Sequence, residues 1–217
     1  NSIRVSLKLD NCSYVKNIPQ GLDIIELKII NCPNIKILPR ISNLKKLSLI
    51  KCVNIEYIPN YNKLELLEID NCIEIRQLPH LPQLQHLNIS YFTNFTKLDT
   101  LLNLKTLKLE VSNIKDMLSF PNLEILILVN CNLIVKINNY NNLNKLIIQD
   151  CQKIDNLPLF PKIKELIISN CESIKYIPRF KTLQNLSINN FYFYLLIPYI
   201  KTMRNIFLQN CSNNIYI

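Results

Sequence analysis

Chemistry in this chain would be sought first at its eight cysteines, Cys12, Cys32, Cys52, Cys72, Cys131, Cys151, Cys171 and Cys211. A thiolate can ligate zinc, attack an electrophile or pair as a disulfide, and each role demands its own spacing and surroundings. No Cys-x-x-Cys pair occurs, so the local half of a structural zinc site is missing. Five of the seven intervals between consecutive cysteines are 20 residues and another is 40, which puts all eight in one recurrent slot rather than in a cluster. The role expected there is structural: a small side chain whose weak S–H donor serves neighbouring backbone carbonyls. A run of parallel disulfides is not expected, because rungs one strand apart do not offer the required geometry. Reduced thiols throughout imply a cytosolic setting.

Other chemistry-bearing residues are scarce. His80 lies in a proline-bracketed stretch and His86 among alternating apolar residues, and neither has a catalytic companion. Gly21 is the only glycine, so no Gly-rich phosphate loop exists, and no nucleophile motif is present. The chain is read as non-catalytic, with no cofactor and no bound metal.

The element that must position the cysteines is clearest from Leu64 to Gln83, LELLEIDNCIEIRQLPHLPQ, a unit of 20 residues that the rest of the chain restates. It sets Leu64, Leu67, Ile69, Cys72, Ile75, Leu78 and Pro79 in an order that begins again at Leu84. A period of this kind marks a solenoid, whose units cannot bury their apolar faces alone. About eleven units span residues 1–217 as one domain, and the chain opens with Asn1 and ends in mid-repeat, as a fragment of something longer would. The first unit is irregular at Arg4. The fifth puts Phe92, Phe95 and Asp99 where Cys, Ile and Pro belong, and the sixth, with Ser112 and Ile114, is one residue shorter. A change of curvature or a looser return edge is expected from Phe92 to Phe120.

The segment Leu64-x-x-Leu67-x-Ile69-x-x-Cys72 resembles the opening of a leucine-rich repeat. Its continuation, Cys72-x-x-Ile75-x-x-Leu78-Pro79-His80-Leu81-Pro82, is similar to two subtypes at once, the cysteine-containing class and the compact Leu-Pro repeats of secreted bacterial effectors. The resemblance covers practically the whole chain. It implies a leucine-rich-repeat solenoid, a curved right-handed superhelix with one long parallel β-sheet on its concave face, and it implies a binding scaffold. Abundant Ile, Asn and Lys fit an AT-rich genome such as that of a large DNA virus, and with it a host cytoplasm. The Leu67-Glu68-Ile69 alternation predicts a short strand in each unit. Proline near the end of each return disfavours helix, so extended segments with brief 3₁₀ turns and little α-helix are expected there.

A net charge of +9 raises nucleic acid or an acidic surface as a partner, and no apolar run is long enough for a membrane span. The open face of the sheet takes the third, fifth and seventh positions of each unit. Five basic residues there (Lys8, Lys28, Lys46, Lys108, Lys145) meet six acidic ones (Asp10, Glu26, Glu68, Asp70, Glu110, Glu165), leaving that face near neutral. Nucleic acid therefore ranks below a protein partner. Large apolar residues at open-face positions concentrate in units seven to nine, as Ile125, Ile127, Val129, Ile147 and Ile167, with Lys145 and Glu165 as a polar rim. Those seven residues are the expected protein-binding site. Two alternatives remain: a substrate-recognition segment of a larger enzyme assembly such as a ubiquitin-transfer complex, and a charge-driven binder of nucleic acid or acidic surfaces.

Overall fold

Strict alternation of Leu or Ile with polar residues leaves each unit one way to lie, with its apolar side chains turned to a common interior. The computed structural model describes residues 4–92 and 98–216. Its strands are β1 (Arg4–Asp10), β2 (Asp23–Ile30), β3 (Lys46–Ile50), β4 (Leu66–Asp70), β5 (His86–Phe92), β6 (Thr106–Ser112), β7 (Ile125–Val129), β8 (Lys145–Gln149), β9 (Glu165–Ser169), β10 (Asn185–Phe191), β11 (Leu195–Leu196), β12 (Asn205–Cys211) and β13 (Ile215–Tyr216). All but β11 and β13 form one eleven-stranded sheet that follows chain order. Neighbouring strands pair in parallel and in matched register, Leu66 with His86 and Leu67 with Leu87, for example. The architecture is a parallel β-solenoid. The shorter sixth unit is absorbed by a register of 19 residues between β6 and β7, Thr106 facing Ile125.

Two corners close most units. After the strand, the position-twelve amide reaches back to the Cys carbonyl, as from Ile35 to Cys32 at 3.3 Å and from Ile134 to Cys131 at 3.2 Å. Before the next strand a second turn closes, as from Leu64 to the Tyr61 carbonyl at 3.0 Å. These are single turns. The expected 3₁₀ segments are not formed, and among the described residues there is neither α- nor 3₁₀-helix. Proline shortly after the first corner keeps the return extended and prevents the turn from propagating. Toward the C-terminal end the returns also pair with each other, through the Tyr176–Leu196 bridge and the β11–β13 ladder.

The residue just before the Cys slot adopts a left-handed conformation in every unit, with φ between 48° and 54°. Seven of these eleven residues are Asn and one is Asp150, the side chains that tolerate this region best after glycine. The sharp corner swings the next side chain inward, which is why Asn precedes Cys so often. Neighbouring corners are tied together: Asn31 donates to Asn11 Oδ1 at 2.7 Å, and Asn170 to Asp150 Oδ1 at 2.6 Å. Val111 is the costliest exception, a β-branched residue at φ 49°. Val111→Asn is expected to stabilise the chain by about 1 kcal/mol, read as a higher urea midpoint at unchanged slope.

Unit six shows how a missing cysteine and a missing residue are accommodated together. Ser112 is buried and its Oγ accepts the Ile114 amide at 3.2 Å, so a hydroxyl supplies the acceptor that a backbone carbonyl provides elsewhere and the corner closes one residue sooner. Within the stretch expected to be looser, Leu98, Ile114 and Phe120 keep buried inward positions. The remainder of that expectation falls on 93–97, with Phe95, outside the described residues.

A second interior ladder, overlooked in the sequence, runs three residues before each new unit. It contains Tyr61, Phe120, Tyr140, Phe160 and Phe180, all buried. Phe120 stacks on Tyr140 with ring centroids 6.1 Å apart, and Phe160 on Phe180 at 6.0 Å. Burying a phenol requires a partner. Tyr140 donates to the Leu118 carbonyl at 2.9 Å and Tyr61 to the Pro39 carbonyl at 2.8 Å. Tyr140→Phe should keep the ring packing but orphan that carbonyl, lowering stability by about 1–2 kcal/mol in a chemical denaturation curve.

Candidate functional site

The cysteines form a continuous rung system. All eight are free thiols; Cys32, Cys52, Cys72, Cys131, Cys151 and Cys171 are buried, while Cys12 and Cys211 are partly exposed. Each buried sulfur sits against backbone carbonyls: Cys52 Sγ donates toward Ile29 at 3.4 Å and Ile50 at 3.5 Å, and Cys72 Sγ toward Leu49 and Asp70, both at 3.4 Å. The sulfur also accepts, as from the Cys131 amide to Cys151 Sγ at 3.4 Å. Burial pushes the Cys171 thiol up to about 12. Cys72 and Cys151 are also raised, first by the thiol hydrogen bond to the neighbouring rung and then by burial. These are poor nucleophiles and poor metal ligands, because neither role proceeds without the thiolate.

Two outcomes follow for the ladder. In native protein a thiol-specific reagent should modify Cys12 and Cys211 rapidly and the six buried thiols only after denaturant is added, with rapid labelling of Cys72 or Cys151 overturning this picture. Stability should also be alkali-sensitive. Burial raises Cys32 and Cys171 above the unfolded value of about 8.5, whereas the hydrogen bond shared within each paired rung raises Cys72 and Cys151 and lowers Cys52 and Cys131. Through Cys32 and Cys171 the unfolded chain holds fewer protons than the folded one above that pH, and stability falls as pH rises toward the folded values. A urea midpoint that declines steadily above about pH 8.5 checks the sign.

On the outer face of the sheet, the seven residues singled out in the sequence lie on adjacent strands. Register places Ile125, Lys145 and Glu165 in one row and Ile127, Ile147 and Ile167 in the next, with Val129 opposite Gln149. Lys145 Nζ lies 3.1 Å from Glu165 Oε2. All seven side chains are half-buried rather than open, since neighbours about 4.8 Å away shade one another's flanks. The ion pair is a third exposed, so it contributes well under ~1 kcal/mol to stability and serves mainly to orient charge. Other charges on this face also pair locally, Lys8 with Asp10 at 2.8 Å and Lys108 with Glu110 at 2.9 Å.

Sequence reading missed what adjoins this row. A cavity of about 290 Å³ opens on the same face, with Leu66 and Ile127 as apolar walls. Its floor is low because Asn88 and Thr106, on the two strands between those walls, are short. Glu68, His86 and Lys108 stand at its rim. Glu68 accepts hydrogen bonds from Ser48 and, at 3.4 Å, from Asn88. Beside them, the Asp70 carboxyl is raised, first by burial and then by the negative charges of Glu110 and Glu68, against partial relief from Lys51 and Lys108. The signal lay in the open-face positions, where two short side chains interrupt long ones. Among the described residues, no group of three or more His, Cys, Asp or Glu side chains converges as metal ligands would. No family model, no curated protein and no solved structure matches this chain.

Proposed function

We propose that this chain is a non-catalytic scaffold of leucine-rich-repeat type, holding a protein partner on the concave, outer face of its long sheet. The observation that carries the reading is the Ile127–Ile147–Ile167 row, apolar and continuous across three strands, with the Lys145–Glu165 pair in the row beside it. An apolar strip with a polar margin has the anatomy of a protein interface core and rim. A rigid parallel sheet also presents such a strip with little ordering cost on binding. Buried, protonated thiols suit a reducing compartment, and the reading places the chain in the cytoplasm.

A second reading, contact with a polyanion such as nucleic acid through the return side, draws on one cluster. Lys175 Nζ lies 5.0 Å over the Phe193 ring, among exposed Tyr176, Tyr192 and Tyr194. Steep loss of binding with added salt would separate it from the first reading.

The test of the first is the double variant Ile127→Asp with Ile147→Asp. Neither side chain belongs to the buried core, so its thermal midpoint should stay within a few degrees of the parent. Partners captured from cell extract by the parent chain should be lost. Undiminished capture by a folded double variant would remove this face from consideration.

A further inference from the structure

The cavity between Leu66 and Ile127 has a more definite chemistry than the row it adjoins, and its occupant can be specified on the strength of the outer-face reading above. Its walls are apolar and its opening is on the sheet surface, so what enters must project from a partner as a single large apolar side chain. Its surroundings are charged in one direction. In a chain of net charge +9, the open-face positions of β4, β5 and β6 hold three carboxylates, Glu68, Asp70 and Glu110, against one ammonium, Lys108. Lys108 is engaged with Glu110 at 2.9 Å, and Glu68 is held by Ser48 and Asn88. Negative charge therefore gathers along the Asp70–Glu110 side, where the Asp70 carboxyl is raised first by burial and then by Glu110 and Glu68, which Lys51 and Lys108 offset only in part. An apolar socket beside an excess of carboxylates over lysines selects a segment that carries an apolar anchor next to a cation.

We infer that this cavity is an anchor socket for a protein segment in which a Leu-, Ile-, Met- or Phe-sized side chain is followed or preceded by Lys or Arg. The apolar side chain seats between Leu66 and Ile127 over Asn88 and Thr106. The adjacent cation lies toward Asp70 and Glu110, whose mutual repulsion it relieves. The isoleucine row of β7–β9 then receives the rest of the segment.

Selection of phage-displayed random peptides on the whole chain tests this, followed by fluorescence anisotropy with the labelled consensus peptide. Enriched sequences should pair an apolar side chain with Lys or Arg within two residues. Thr106→Phe, which fills the socket from the sheet surface without touching the interior, should weaken the consensus peptide by about tenfold. Asn88→Leu fills it from the neighbouring strand and serves if the first variant folds poorly. Asp70→Asn with Glu110→Gln should weaken it by about threefold and flatten its salt dependence. Enrichment of acidic peptides, of peptides lacking an apolar residue, or of none above background overturns the proposal, as does full affinity in both filled variants. Affinity that survives socket filling but disappears in Ile147→Asp with Ile167→Asp overturns the socket and leaves the sheet-face reading standing. Binding indifferent to every one of these changes defeats both.

Discussion

Everything in this molecule depends on one recurrent hydrogen bond, the amide of the residue before each strand donating to the equivalent carbonyl of the unit before. It measures 2.8 Å from Lys45 to Ile25, from Glu65 to Lys45, from Gln85 to Glu65 and again from Lys105 to Gln85. A ladder of such uniformity fixes the rise between units, and every other ladder must then match it. A unit of about twenty residues, one strand and an extended return, cannot enclose its own apolar side chains. Stacking at the ladder spacing lets the Leu, Ile, Cys and aromatic slots of one unit lie on those of the next, so the core is continuous from Ile18 to Ile200.

The left-handed corner and the cysteine are two halves of one device. A parallel strand ends with its backbone polar groups directed along the sheet, and the chain must turn inward within a residue or two to keep the stack thin. Positive φ at the corner achieves this, and the side chain that follows is driven into a confined place bounded by carbonyls of two units. Cysteine fits because it is small, apolar and still able to donate weakly to oxygen. Serine can stand there when the corner is shortened, as at Ser112, since its hydroxyl can take over an acceptor's role. Regularity at this slot therefore reflects steric and polar accounting of the backbone rather than thiol chemistry, and the pushed-up value of Cys171 follows from it.

How much of this was legible in the sequence follows from what repeats. Leu67, Ile69, Cys72 and Ile75 recur with fixed spacing, so strand, register and inward slot could be read directly, as could the parallel order of the sheet. The aromatic ladder was not, because its slot accepts Ile41, Leu81 and Leu101 as readily as Tyr140 or Phe160, and a slot filled by varied residues has no signature. Asn recurs before Cys along the sequence and is a turn former, but the conformation it adopts depends on the inward swing that only the assembled stack imposes. The isoleucine row could be assembled from register alone, whereas its half-burial could not, because shading comes from neighbours' side-chain lengths. The socket was harder still: it arises from short Asn88 and Thr106 lying between long Leu66 and Ile127, a relation across four strands rather than along one.

What stabilises this chain lies inside the stack, and what it can offer a partner lies on the outer face of the sheet. Interior slots are held by both neighbours and must be filled by apolar side chains, so their substitution is felt by the units on either side. Outer-face positions belong to no such ladder, so their composition is free of the folding constraint. That freedom explains how charge can be locally reversed there, with carboxylates gathered on β4 to β6 of a basic chain, and how apolar residues can be gathered on β7 to β9, without loss of register. A half-shaded isoleucine row costs less than an open one in the unbound state, and it still gains on full burial by a partner. Placing the acidic strands and the apolar strands side by side gives the face a direction along the stack axis. A partner segment with a matching order of cationic and apolar residues would be read in one orientation only.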